Sequence, residues 1–244
     1  FILTYALRIT PHFKWTLFFF LFTPQNLTLR SSYSADSMLI ANCVLFFALF
    51  FFITSPLSPH SKWDKKTFFL FLFSMISMGL CKQFYLIISL LLFFIPVEKF
   101  KSKKEKFKNL AWLYGVSASL ALLWGKIISG IFINTRYDAL RPLINAKEQL
   151  FFVLAHPLFF IKLVLRHTYD YWLNTYHQGM GLIGWLDTPM SERSLFFLTL
   201  ILLTSLVIEA REYSFFSSLS SKMKLFSLFV VSYFILSLAI YTSW

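Results

Sequence analysis

The sequence predicts an all-α fold, a polytopic transmembrane helical bundle with an interfacial helix in an outer loop. Three observations predict it. Hydrophobic residues make up 57% of the 244-residue chain, charged residues 14%, and Phe alone contributes 32 positions. The mean hydropathy is +0.66, more apolar surface than a water-soluble domain of this length can bury. The apolar residues fall in runs of helical length, and Lys clusters punctuate them.

The runs give the elements in order. Residues 13–23 are a partial span that ends at Pro24. Spans are expected over about 37–54, 110–132, 194–209 and 225–241, since about 20 apolar residues cross a bilayer. The run 67–96 is broken at Cys81-Lys82-Gln83. The basic loops decide how to read it. Lys99, Lys101, Lys103, Lys104, Lys106 and Lys108 form the densest, and Lys62, Lys65 and Lys66 the next. Both lie on the cytoplasmic side only if 67–80 and 84–96 are two arms of a hairpin with Lys82 near its apex. Each arm would be about 21 Å long as α-helix. By alternation residues 24–36 and 133–193 lie outside.

Within the outer segment, residues 149–166 are interrupted by His156-Pro157 and Lys162. They read as a helix lying in the membrane interface, and Tyr169, Tyr171, Trp172, Tyr176 and Trp185 as an aromatic belt. Three of the seven glycines fall between Gly179 and Gly184, the last two of them inside the motif GLIGWLDTP. Gly permits sharp backbone paths, Pro stops regular structure, and an acid between them sits in a turn.

The net charge of +12 reads as positive-inside topology over anionic lipid. Nucleic-acid binding does not fit Lys residues confined to short loops between apolar spans. The lipid bilayer is therefore the expected partner, and the sequence names no protein partner. Cys43 and Cys81 lie in apolar runs, against a disulfide framework. No zinc spacing, P-loop, dinucleotide fingerprint or serine-hydrolase elbow occurs. The start at Phe1 and the apolar run to Trp244 read as a fragment with both ends missing.

Few residues can carry chemistry. Asp36 precedes a span, either as a helix cap shared with Ser34 or as an acid held for a hydroxyl or a divalent metal. Lys82 interrupts an apolar run, where mid-bilayer burial would cost about 2.5–3.5 kcal/mol. It reads as a snorkelling anchor or as a phosphate anchor at the boundary. Asp187 reads as a turn acid, Arg30 as an interfacial anchor and His156 as an interface histidine, each with a ligand-binding alternative. The topology brings Arg30, Asp36, Lys82 and Asp187 to one face. Two acids and two bases are the inventory for holding a phosphate and activating a hydroxyl.

Four segments in this order, SYSADSM at 32–38, CKQFYLIISLLLFFIP at 81–96, Gln149 to His156-Pro157, and GLIGWLDTP at 181–189, resemble the bacterial membrane proteins of the domain-of-unknown-function family 2142. That family is grouped with membrane glycosyltransferases of the GT-C type. The resemblance implies a GT-C-like bundle in the bacterial inner membrane. It implies a polyprenyl-phosphate-linked sugar as donor and a role in cell-surface polysaccharide assembly. A transporter, a lipid-carrier flippase or a non-catalytic subunit is the competing class. Topology and motif position together put forward Asp36 and Asp187 as catalytic. Arg30, Lys82, Tyr85, His156 and Trp185 are put forward as substrate-binding. No metal ligands or cofactor are assigned, a divalent ion being one way the acids could act. The family's N-terminal acidic segment and C-terminal Gly-x-x-Gly-Arg-Tyr segment are not found in this chain.

Overall fold

A computed structural model describes residues 1–32, 34–55, 62–131, 145–183, 188–212, 226–227, 229–235 and 237. The described residues are almost wholly helical, as an all-α bundle requires. Short helices α1 (Ile2–Ile9), α2 (Lys14–Leu21) and α3 (Pro24–Ser31) lead into α4 (Ala35–Thr54) and α5 (Lys65–Cys81). A 3-10 arm (Gln83–Phe94) and a 3-10 turn (Val97–Lys99) follow, then α6 (Lys103–Ile131), α7 (Ala146–Ala155), α8 (Pro157–Met180) and α9 (Glu192–Glu212). Two strands, β1 (Leu182–Ile183) and β2 (Thr188–Pro189), pair antiparallel with Leu182 opposite Pro189.

By length and composition, Ala35–Thr54, Lys103–Ile128 and Glu192–Ala210 can each cross a membrane. Half of the first is buried inside the protein, against 17% of the second and 11% of the third. So α4 is the most buried of the three, α5 packs between it and α6, and α6 and α9 present most of their apolar surface outward. Lys147–Ala155 and Pro157–Met180 qualify together but meet at a bend of 102°. The bend sits at His156, where α7 stops and Pro157 starts a new helix at its favoured first position. α8 then runs on through the aromatic residues up to Tyr176.

Polar side chains set the helix starts. Thr23 caps α3 through the Asn26 N–H at 3.4 Å. Ser34 caps α4 through the Ser37 N–H at 3.4 Å. Asp64 caps α5 through the Thr67 N–H at 2.8 Å. Asn145 caps α7 through the N–H groups of Lys147 and Glu148. The main core lies among α1, α4, α5, the 3-10 arm and α6. Phe46 of α4 meets Phe71 of α5 edge to face at 5.3 Å, and Trp63 stacks on Phe71 at 5.4 Å and packs on Phe100 at 4.7 Å.

The hairpin of α5 and the arm is closed at its base. The Trp63 N–H donates to the Lys99 carbonyl at 2.9 Å, so the chain enters and leaves side by side. Lys82 stands at the turn, capping the end of α5 and opening the arm with an extended backbone (φ −151°, ψ 107°). The second arm is not α-helix. It is a twelve-residue 3-10 helix, a form that rarely runs beyond three or four residues. At about 2.0 Å per residue it spans about 24 Å.

Side chains at three levels fasten the arm to α6. Lys106 is 8% exposed and donates from Nζ to the carbonyls of Phe93 at 2.9 Å and Ile95 at 2.6 Å. The Tyr114 hydroxyl donates to the Ser89 carbonyl at 2.6 Å, while its ring stacks on Phe93. Gln83 Nε2 donates to the Ala121 carbonyl at 2.7 Å. Gly125 makes room for this last contact, since a Cβ there would lie 2.0 Å from Gln83 Nε2. The sequence expectation put α-helix here and started the following span near residue 110. Instead α6 begins at Lys103, so part of the Lys-rich loop is helix.

Two predictions follow from these clamps. Lys106→Met leaves two carbonyls without their charged donor and should cost about 3 kcal/mol, against about 1 kcal/mol for Tyr114→Phe. Thermal unfolding in detergent should show Lys106→Met as the larger loss; equal effects would discount the ammonium clamp. In the second, Gly125→Ala gains about 1 kcal/mol of helix propensity and loses the Gln83 bond, worth about the same. It should be near neutral in the natural sequence and stabilising by about 1 kcal/mol in a Gln83→Ala background. A double-mutant cycle on the same unfolding curves measures this.

Candidate functional site

At the Lys82 end of the bundle, Lys82 Nζ lies 2.5 Å from Asp36 Oδ1, with side chains 49% and 37% exposed. Both partners are placed by backbone geometry. The Lys82 N–H donates to the Met78 carbonyl at 2.9 Å, and the Lys82 carbonyl accepts from the Tyr85 N–H at 3.0 Å. Its backbone is therefore fixed from both sides while its ammonium stays accessible. Asp36 lies in the first turn of α4, where the helix dipole favours a carboxylate. Because Ser34 supplies the cap, the Asp36 carboxylate is not committed to the backbone.

An exposed pair of this kind contributes only about 0.2–1 kcal/mol. It is a weak stabiliser in an accessible position, with one group able to neutralise an anion and one able to take a proton. Tyr85 lies beside it in the arm, half-buried against the main core.

The other expected residues are placed differently. Arg30 is half-buried and turns back on its own segment. It donates from Nε to the Asn26 carbonyl at 3.1 Å, from a terminal nitrogen to the Leu21 carbonyl, and lies 5.9 Å over the Phe22 ring. It closes the C-terminus of α2, and burial lowers its pKa from the ordinary value. These contacts do not join it to the Lys82–Asp36 pair. His156 is exposed at the α7–α8 elbow, with its ring 4.9 Å from Phe152. Asp187 and Trp185 lie outside the described residues. The strands that flank them are described. β1 packs against α3, the helix of Arg30, and against α8. Met190 N–H donates to the Gly181 carbonyl at 2.8 Å, extending the pairing. A Cβ on Gly181 would meet Leu195 Cδ1 at 2.9 Å, so glycine there permits close approach to α9. Among the described residues, no group of three or more His, Cys, Asp or Glu could hold a metal ion.

Two polar contacts were not anticipated. Glu209 on α9 accepts from the N–H groups of Trp15 at 3.0 Å and Thr16 at 2.9 Å and from the Thr16 hydroxyl at 2.8 Å. It caps α2, whose own N-cap residue, Phe13, has a left-handed backbone (φ 58°) and no capping side-chain bond. His177 lies 3.6 Å from Glu192 and joins the ends of α8 and α9. An acid near the end of an apolar run was the only available signal for Glu209.

The chain matches the family described as predicted membrane protein (DUF2142) over residues 1–244. It belongs to that family and is a membrane-bound protein. Neither a curated protein nor a solved structure matches it.

Glu209→Ala should free the start of α2. Hydrogen exchange at Trp15 and Thr16 should speed up by roughly ten-fold or more, since hydrogen bonds to a charged group contribute about 1.5–3 kcal/mol. Unchanged exchange at both amides would show that α2 does not depend on Glu209.

Proposed function

We propose that this chain is part of a glycosyltransferase-like integral membrane protein. It would take a sugar from a polyprenyl-phosphate carrier at the outer face of a bacterial plasma membrane, for assembly of cell-surface polysaccharide. The observation that carries the reading is the Lys82–Asp36 pair, half-exposed at the end of the bundle away from the Trp63–Lys99 base of the hairpin. The Lys-rich segments flank that base and would face the cytoplasm, which puts the pair on the outer side.

The chemistry divides between the two groups. Lys82 neutralises the carrier phosphate and its developing charge as the bond from the sugar's anomeric carbon to the phosphate oxygen breaks. Asp36 accepts the proton of the acceptor hydroxyl as that oxygen bonds to the anomeric carbon. The carrier phosphate leaves with the bonding electrons, and the proton passes from Asp36 to water. Asp187 is the second acid of this scheme, and Arg30 would join as a second phosphate anchor only by leaving the Asn26 and Leu21 carbonyls. Tyr85, His156 and Trp185 complete the substrate contacts. The placement of charge at the ends of spans, rather than along a central path, supports surface chemistry over transport.

In the full-length protein, Asp36→Asn should lower turnover of a polyprenyl-phosphate sugar by about 10²–10⁴-fold without weakening donor binding. Lys82→Met should weaken donor binding. In intact cells Lys82→Cys should react with an impermeant thiol reagent and Lys103→Cys should not. Wild-type turnover in Asp36→Asn, or labelling with the sides reversed, would overturn the reading.

A further inference from the structure

The pair that would bind phosphate is already occupied by itself. Lys82 and Asp36 neutralise each other at 2.5 Å. We propose that this ion pair is an exchangeable latch: a phosphate-class anion enters by taking Lys82 from Asp36, and the carboxylate becomes free for an acceptor only after the phosphate is seated. The proposal rests on the reading above and adds an order of events to it.

Four features carry it. The cap of α4 is made by Ser34, so release of Asp36 leaves no helix end uncapped. Among the described residues, Asp36 has no other ion-pair or hydrogen-bond partner, so among them release breaks one such contact. Both side chains are partly exposed, and solvent-accessible ion pairs are held weakly, whereas a phosphate group brings more charge and several acceptor oxygens. Finally, the Lys82 backbone is tied to Met78 and Tyr85, and Gln83 beside it to Ala121. Exchange therefore needs only side-chain rotation. After exchange, Asp36 stays in the first turn of α4, where the helix dipole still favours its charge. Donor and acceptor steps are thereby coupled through one ammonium, and an acceptor arriving first meets a carboxylate that is already engaged.

The test uses the full chain in nanodiscs of phosphatidylcholine, with farnesyl phosphate, farnesol and inorganic phosphate as probes in calorimetric titration. Removing the internal competitor should tighten anion binding. Asp36→Asn and Asp36→Ala should both bind farnesyl phosphate about two- to five-fold more tightly than the natural sequence, the range expected for an exposed pair. Lys82→Met should lose binding, Asp36→Asn should bring no gain in a Lys82→Met background, and farnesol should show no dependence on Asp36. A gain confined to farnesyl phosphate supports a lipid headgroup as the key; the same gain with inorganic phosphate supports the latch with the free anion as key. If Lys82→Met loses binding but both Asp36 variants bind like the natural sequence or more weakly, the latch is overturned and the phosphate site stands. If Lys82→Met binds all probes like the natural sequence, the latch and the phosphate site fall together.

Discussion

Backbone polarity in an apolar setting is the constraint on which this structure depends. A chain segment that leaves water must satisfy every N–H and C=O within the protein. The Gln83–Phe94 arm does so as a 3-10 helix, whose hydrogen-bond geometry is poorer than that of an α-helix. α6 compensates at two levels, where Lys106 and Tyr114 donate to carbonyls of Phe93, Ile95 and Ser89, and the Gln83 side chain adds a third tie to the Ala121 carbonyl. The spacing is self-consistent. The arm covers about 24 Å at the 3-10 rise, and the stretch from Lys106 to Ala121 covers about 22 Å at the α-helical rise. Two helices of different pitch thus keep register over their whole contact, with Lys106 at one end and Gln83 at the other.

That register fixes the position of Lys82. The hairpin base is closed between Trp63 and Lys99. With α5 seventeen residues long and the arm stretched by its 3-10 pitch, the turn is carried well away from the base. It reaches the level of the first turn of α4, where Asp36 waits uncommitted because Ser34 caps the helix. The ion pair is a consequence of segment length and of the choice of cap, before any ligand is considered.

Much of this was legible in the sequence, and the failures have physical causes. Lys82 as the break in an apolar run was readable, because an ammonium is too costly to leave in mid-helix among lipids. The alternation of basic loops put it on the same face as Asp36, but the direct ion pair between them was not anticipated. The 3-10 pitch was not readable: a twelve-residue stretch whose only strongly polar side chains are Gln83 and Ser89 carries no polar periodicity to distinguish one helical form from another. Lys106 was counted with its neighbours as a solvated loop residue, although it is buried against the arm's last carbonyls. One Lys among six looks alike in sequence, and only the face of α6 separates it. Arg30 was taken toward the phosphate because it lies near the right boundary. Local acceptors at Asn26 and Leu21 engage it instead. Glu209 escaped because its partners lie more than 190 residues away.

The two ends of the α4–α5–arm unit handle charge in opposite ways. At the Lys-rich end the acids serve the backbone: Asp64 takes the Thr67 N–H and Glu105 takes the Lys101 N–H at 2.7 Å. The Thr67 N–H holds the Asp64 carboxyl below its ordinary value, as expected for a capping carboxylate. With nine Lys at this end against Asp64, Glu98 and Glu105, a positive field remains, of the kind that holds a membrane protein against anionic headgroups. At the other end the backbone cap is a neutral serine, so the acid pairs with the ammonium and the local field is nearly cancelled. Anchoring is favoured by a standing net charge. A site that takes up and releases a charged ligand is better served by an internal counter-ion, because the bare charge is never left without a partner. The serine cap of α4 leaves Asp36 for Lys82, while the excess of Lys over acids at the opposite end makes that end an anchor.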